Sequence, residues 1–486
     1  MRLRELLRVL PAYTVLGEAD GEVRGISYDS RAVRPGDLFC AVPGRRHDGH
    51  TFTPEAVARG AVAVLVERPV GVPVPQVVVP SVRQALGPLA SAFYGHPSHH
   101  LQVIGVTGTN GKGTVTYLLR AVLEAGGWPC GIIGSLGAVV GSEVVPLSLT
   151  TPEAPELQAL LHRMVGSGLR FAAVEVASHA LVQERVGGVR FVAAAFTNLT
   201  PDHLDFHGTL EAYRDAKALL FERVEPDGVS VVNREDPAGA YMAARSRAPV
   251  LTYGFGSEAH VRAEAVALDL GGAAFTVRTP RGRAHFRSPL CGTFNVLNAL
   301  CAIALGEYFG VPLDAMADAL RHFPGIPGRF ERIDEGQDFA VIVDYAHTPD
   351  ALRAVLEAAR PLSRGRVVVV FGCGGDRDPT KRPVMGRIAS ERADVVILTS
   401  DNPRTEDPLR ILEQIRAGVV DGTRCVVEPD RRAAIQRAIA EARAGDVVLI
   451  CGKGHESDQI VGTERIPFDD REEARKALRG RGDGGR

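Results

Sequence analysis

Apolar and polar positions follow three textures along the chain. Up to about residue 97, short apolar runs such as AVAVLVE (61–67) and PQVVVP (75–80) are interleaved with helical stretches such as SVRQALGPLASAFY (81–94). That mixture predicts a small α/β unit. FYGHPSHH (93–100) then brings Gly, Pro and clustered His before the next apolar run, which places a boundary there. From LQVIGVTG onward the order is strand, glycine loop, helix, followed by the strand-like FAAVEVAS and VAAAFTNLT and the helical TLEAYRDAKALLFERV. Such alternation is the mark of a parallel sheet flanked by helices. Residues 258–291 alternate as antiparallel edge strands would, FNVLNALCAIALGEYFG (294–310) reads as a helix, and RHFPGIPGRFE (321–331) reads as a linker. Beyond it, VIVDYAH, VVVVFG, VVILTSDN and VVLICGKG are the continuous apolar runs of a second buried parallel sheet. The expected division is 1–97, 98–326 and 327–486, with a charged tail (DDREEARKALRGRGDGGR) expected to fray.

Composition narrows the class. The 486 residues fit about three domains of ~150 residues. With 56 Lys+Arg against 58 Asp+Glu, the net charge of −2 favours neither a nucleic-acid partner nor a polybasic membrane surface. No run approaches the roughly 18 uninterrupted apolar residues of a membrane span, and no signal-peptide core follows the N-terminal MRLRELLRVLPAY. The seven scattered cysteines form no CxxC pair, so they are expected to be reduced core thiols of a cytoplasmic protein.

The strongest local signal is VIGVTGTNGKGTVTYLL (103–119), where a strand enters a glycine-rich turn and a helix follows. Backbone N–H groups of Gly108, Thr109, Asn110, Gly111, Lys112, Gly113 and Thr114 can surround phosphate oxygens, aided by the positive end of the helix. Lys112 supplies a point charge and Thr114 a hydroxyl for a phosphate-bound cation. The strict GxxxxGK[ST] pattern is not met, because residue 106 is Val and residue 113 is Gly. The bland alternative is a crossover with a coincidental lysine.

Glu175 closes the strand FAAVEV, where ligands collect in open parallel sheets. The segment 193–217 adds Asn198, Thr200, Asp202, His203, Asp205 and His207 after another strand end. Oxygen and imidazole donors suit Mg²⁺ or Mn²⁺ when phosphates complete the shell, and the alternative is a solvated loop. Lys217 is read two ways. It can snorkel from a half-buried helix, or it can be eased toward the neutral amine by apolar surroundings and nearby metals.

Together GTNGKGT, EVASHAL, NLTPDHLDFHG with AYRDAK, FNVLNAL, DYAHTPD, GCGGDRD, SDNPRTEDP and GKGHE resemble the Mur ligases, in particular the branch that adds the third amino acid of the peptidoglycan stem peptide. The resemblance spans about residues 24–460. It implies a three-domain α/β architecture with a central P-loop nucleotide-binding domain and a C-terminal Rossmann-like domain. The first domain would hold the UDP part of UDP-MurNAc-L-Ala-D-Glu, the second ATP with Mg²⁺, and the third a free diamino acid.

Carried over residue by residue, the resemblance places Ser30 and Arg31 at the uridine nucleotide. Thr150, Thr151, Ser178, Gln183 and Arg185 would hold the muramoyl-peptide. Asn295 and Asn298 would lie near adenine, Arg329 near the phosphates, and Asp344 and His347 where the third domain closes over the nucleotide. DYAHTPD alone reads equally as a strand end leading into a Pro-started helix. Lys112, Glu175, His203 and Lys217 are implied as catalytic, with Thr114, Glu175, His203 and a carbamylated Lys217 as metal ligands. Arg377, Asp401, Asn402, Pro403, Arg404, Gly452 and Glu456 would surround the amino acid, although DNP can also simply cap a turn.

SDNPR resembles the form associated with meso-2,6-diaminopimelate, with L-ornithine and L-lysine as alternatives. Two readings of another kind are folylpolyglutamate synthesis, whose enzymes resemble this chain at Gly113, and a non-enzymatic nucleotide sensor.

Overall fold

The computed structural model describes residues 1–44 and 47–483. Among them the apolar runs form three separate sheets, each with its own core. In the first, Gly25–Ser27, Asp37–Cys40, Ala63–Val66 and Gln76–Val78 run parallel, and Thr14–Leu16 closes one edge antiparallel.

The middle sheet positions the site. Its parallel centre runs Val224–Asn233, Phe191–Phe196, Gln102–Thr107, Phe171–Glu175, Cys130–Gly134. The first of these strands in the chain, Gln102–Thr107, thus lies between two later ones, and its C-terminal end is a crevice where connections diverge to either side. The register pairs Glu175 with Val106 and Phe196 with Thr107, so the chain after each strand emerges beside the phosphate-type loop. The expected edge strands are Val261–Asp269, Gly272–Thr279 and Gly282–Ser288, joined antiparallel. The helix read from FNVLNAL spans Thr293–Phe309 and is buried along most of its length, which fits its lack of a polar face.

The third sheet orders Ala340–Asp344, Val447–Cys451, Val367–Phe371, Val395–Leu398 and Arg424–Val427 in parallel, with Glu331–Ile333 antiparallel at one edge. A hairpin, Asp458–Val461 with Glu464–Pro467, follows its second-ordered strand.

The C-terminal tail differs from the expectation of fraying. Helix Asp470–Asp483 docks on the third sheet through Ala474 and Leu478. The fully buried Arg431–Asp470 ion pair, at 2.7 Å, anchors its first turn. The Ala474–Leu478 spacing of four is a helical stripe masked by charge, and those charges find partners, as in Arg475–Glu331 and Arg479–Glu335. The last three residues of that tail, 484–486, lie outside the described residues. Among the described residues no helix is long and apolar enough to cross a membrane, and all seven cysteines are free, six of them buried.

Candidate active site

The loop after Gln102–Thr107 is laced to the chain leaving its neighbour Phe191–Phe196. Thr109 N–H donates to Asn198 O (2.8 Å), Asn110 N–H to Asn198 Oδ1 (2.9 Å), and Thr197 Oγ1 to Asn110 O (2.6 Å). Gly111 begins helix Lys112–Ala125 at φ 85°, a left-handed conformation glycine adopts without strain. A Cβ there would also stand 2.5 Å from Asn298 Oδ1, which puts Asn298 directly behind the loop. Lys112 Nζ donates to the carbonyls of Gly108 (3.0 Å) and Thr109 (2.8 Å), and burial lowers its pKa against the opposing pull of Glu175 and Asp202.

Glu175 is buried at its strand end, where Oε1 accepts Ser135 N–H at 2.8 Å. Thr151 Oγ1 donates to the Glu175 carbonyl (2.7 Å) and accepts from Ala177 N–H (3.0 Å), tying the TTPE segment to the same edge. Lys217 is also buried. Its Nζ donates to Gly108 O at 2.8 Å and lies 4.0 Å from the centre of the Tyr213 ring. Burial, then the charge of Lys112, pushes its pKa well below the usual lysine value, in line with the neutral-amine reading. His203 sits at φ 55° with Nε2 3.4 Å from Asp202, and burial lowers its pKa.

The third sheet faces this loop with its own strand ends. Buried Asp344 accepts Phe330 N–H and Ala346 N–H, both at 2.7 Å, which fixes the linker against the sheet. Arg329 stacks 4.5 Å over Tyr345. His347 carries Nδ1 2.9 Å from Tyr345 O, and burial, then Lys381, lowers its pKa to about 4. Arg404, at φ 52°, donates from Nη1 to Gly375 O (2.7 Å).

These surfaces enclose one cleft of about 810 Å³. It is lined by loop residues Thr109, Asn110, Gly111, Lys112 and Gly113, by Thr150, Thr151, Glu175, Arg185 and His203, and by Arg329 and His347. Arg377, Asp401, Asn402, Arg404, Gly452 and Glu456 complete it from the third sheet.

Other expected site residues lie behind or away from it. Gly108, Thr114, Lys217 and Asn298 are outside the lining, with Lys217 and Asn298 packed against the back of the loop. The Asn295 amide is committed to Cys291 O (2.8 Å) and Asn298 Nδ2 (3.1 Å). Asp344 is closed off by its two backbone bonds, and Pro403 does not reach the cleft. Ser178 Oγ pairs with His207 Nε2 (2.9 Å), and Gln183 Oε1 accepts from Arg185 (2.5 Å). Ser30 and Arg31 are not brought in. Ser30 Oγ donates to Glu55 (2.8 Å) and exposed Arg31 pairs with Asp29 (2.8 Å), because the first sheet meets the middle one elsewhere. That junction rests on Arg83–Glu153 (2.9 Å) and Tyr28–Glu156 (2.9 Å), with Glu153 also bound to Arg185 (3.1 Å).

Among the described residues no three His, Cys, Asp or Glu side chains gather as a metal-ligand set. A carboxylate and an imidazole at a phosphate-type loop still suit Mg²⁺, which usually takes one or two protein carboxylates and completes its shell from substrate phosphates and water.

Ser135, Glu153, Lys381 and Lys453 are not among the residues singled out from the sequence. Ser135 had a signal, being the first polar residue past the apolar strand Cys130–Gly134. Lys453 stands inside GKGHE.

This fold and cleft define a nucleotide-binding α/β protein. Three family descriptions match in chain order: "Mur ligase family, catalytic domain" over 22–94, "Mur ligase middle domain" over 106–306 and "Mur ligase, glutamate ligase domain" over 328–454. A UDP-N-acetylmuramoyl-L-alanyl-D-glutamate--2,6-diaminopimelate ligase of Geobacillus thermodenitrificans is 47% identical, covering 99% of this chain and 100% of its own. One of the same description from Gloeobacter violaceus is 49% identical, covering 98% of each. A solved structure of that description superposes with a TM-score of 0.71 at 36% identity, covering 98% of this chain and 99% of its own. The chain belongs to the Mur ligase family. It is thus an ATP-dependent acid–amino-acid ligase.

Proposed function

We propose that the protein joins meso-2,6-diaminopimelate to the γ-carboxylate of D-glutamate in UDP-MurNAc-L-Ala-D-Glu, with ATP activating the carboxylate. The observation that carries this reading is the single cleft in which a phosphate-type loop with Lys112 faces an arginine, Arg404, presented by a separate sheet. A loop alone would suit any nucleotide binder. An arginine able to grip a carboxylate bidentately on the opposite wall suits a reaction that brings an amino acid to an activated acyl group.

A carboxylate does not yield an amide directly, because oxide would have to leave. Attack of the carboxylate oxygen on the γ-phosphorus of ATP releases ADP and leaves an acyl phosphate. The amine then adds at the acyl carbon, phosphate departs and the nitrogen gives up a proton. Lys112 would neutralise charge on the transferring phosphoryl group. Glu175 and His203, with Thr114 and a carbamylated Lys217, would hold Mg²⁺, which supplies charge neutralisation at the phosphates. The depressed pKa of Lys217 supports carbamylation, since only a neutral amine adds to carbon dioxide. Thr150, Thr151 and Arg185 would hold the peptide end of the UDP substrate, with Arg404 and Glu456 on the diamino acid. The roles divide by segment: 1–97 for the uridine nucleotide, 98–326 for ATP and 327–486 for the amino acid, each containing one of the main sheets. Closure of the cleft would exclude water from the acyl phosphate.

The test supplies purified protein with ATP, Mg²⁺, UDP-MurNAc-L-Ala-D-Glu and equal concentrations of diaminopimelate, ornithine and lysine. The diaminopimelate product should dominate by mass, and phosphate release should require both peptide and amino acid. Dominance of another product would overturn the amino-acid assignment, and turnover only with pteroylglutamate plus glutamate would overturn the substrate class.

A further inference from the structure

Behind the amino-acid wall of the cleft lies a lysine that the reaction described above does not use. Lys453 is fully buried, yet it carries an ammonium group. Its Nζ donates to three oxygens: Asn402 Oδ1 at 3.0 Å, Glu456 Oε2 at 3.0 Å and the Asp458 carbonyl at 2.5 Å. An ammonium has three protons, so its bonding capacity is filled. Burying an unpaired cation is costly, and here every proton is matched.

The partners matter more than the lysine's own comfort. Asn402 Nδ2 donates to the same Glu456 Oε2 at 2.8 Å, so that oxygen is held by two donors. Glu456 is nevertheless part of the cleft lining, with 29% of its side chain exposed. One carboxylate oxygen is thus pinned from behind, while among the described residues Oε1 has no hydrogen-bond partner. Asn402 Oδ1 also accepts Ile460 N–H (3.0 Å), so both polar atoms of its amide have partners in the network. The same hairpin strand takes Arg404 N–H on Ile460 O (3.1 Å), and Gly462 N–H donates to Arg404 O (2.7 Å). Arg404 is held in its left-handed conformation by these bonds.

We propose that Lys453 is a positioning residue for amino-acid selection, acting through Glu456 and Asn402 from a site with no access to substrate. It rests on the reading that Glu456 faces the diamino acid. In that role Lys453 aims the free oxygen of Glu456 at the distal ammonium of the incoming diamino acid and leaves the nucleotide side of the cleft untouched.

The experiment is a double-mutant cycle on the full chain, comparing Lys453→Met, Glu456→Gln and the pair, with KM measured for diaminopimelate, ATP and the UDP-peptide. Lys453→Met and Glu456→Gln should each raise KM for diaminopimelate by roughly 10-fold or more while KM for ATP stays within about 2-fold, and the double variant should be no worse than Glu456→Gln alone. Lys453→Arg, which keeps the charge, should recover part of the loss. Additive effects, an equal rise in KM for ATP, or no change in KM for diaminopimelate would overturn the proposal. If Lys453→Met does not accumulate as folded protein, the double variant is read against Glu456→Gln. Equal KM for diaminopimelate supports the proposal and a further rise overturns it. Wild-type protein that ligates no diamino acid would instead remove the functional reading itself, so the two failures are distinct.

Discussion

Gly113 and Glu175 are fitted to one another: a Cβ on Gly113 would stand 3.1 Å from Glu175 Oε1. Gly134 gives way from the other side, where a Cβ would lie 2.1 Å from the same oxygen. The glycine that breaks the usual phosphate-loop pattern thus makes room for a buried carboxylate that Ser135 N–H holds in place.

Gly113→Ala should separate stability from activity. The position lies in the first turn of helix Lys112–Ala125, where alanine is worth up to ~1 kcal/mol over glycine, which offsets the crowding of Glu175, so Tm should stay close to wild type. The added methyl presses on Glu175, which has little room to yield, and kcat should fall roughly 10-fold, or ~1.4 kcal/mol. An unchanged kcat in steady-state assays would refute the fit.

Lys217→Ala should still bind ATP and lose most turnover, because the carbamate proposed there would help hold the Mg²⁺ that neutralises charge at the transferring phosphate. A small added carboxylate should restore part of it. The check is a bicarbonate titration of wild-type rate alongside the variant. A wild-type rate indifferent to bicarbonate depletion, with the lysine intact and unmodified by mass, contradicts carbamylation.

Arg404→Ala distinguishes two carboxylates. Selective loss of diaminopimelate ligation, measured by competition with ornithine and lysine, places the guanidinium at the distal carboxylate. Equal loss with all three places it at their shared α-carboxylate. We expect the selective result.

Acid should destabilise the fold through buried imidazoles. Burial, followed by the charge of Arg329, lowers His455 from 6.5 to about 4, and burial, followed by Lys381, does the same to His347. Between those values the unfolded chain binds protons that the native chain refuses, so stability rises with pH through this window and falls as pH drops from 6.5 toward 4. His455→Gln should flatten that dependence in Tm measured from pH 7 to pH 5. An unaltered slope would show that His455 titrates normally.

The Arg431–Asp470 pair predicts a strong asymmetry. Asp470→Ala leaves a buried guanidinium without its carboxylate and should cost ~3–5 kcal/mol in urea unfolding, whereas Arg431→Met with Asp470→Leu should come close to wild type. Equal losses in the single and double variants would mean that helix packing, not charge, sets the cost.

Much of the architecture could be read from the chain because strands and loops announce themselves locally. Continuous apolar runs rich in β-branched residues, such as VVVVF and VVLIC, favour buried strands, and GTNGKG between a strand and a helix needs no partner to be recognised. Glu175 and Arg404 were legible for the same reason, since polar residues just past such runs lie at the C-terminal edge of a parallel sheet.

Contacts across elements were decided only by the tertiary structure. Strand order placed Phe171–Glu175 and Phe191–Phe196 on either side of Gln102–Thr107, and that order depends on pairings between residues far apart in the chain. Only then does Gly113 come up against Glu175, does Lys217 reach the Gly108 carbonyl, and does Lys453 turn inward to Asn402. The charged tail makes the same point, because a helix rich in Arg and Glu looks soluble until a buried Arg431 supplies the partner for Asp470. Hydrophobic periodicity specifies which face of an element is buried. What that face meets depends on the rest of the chain.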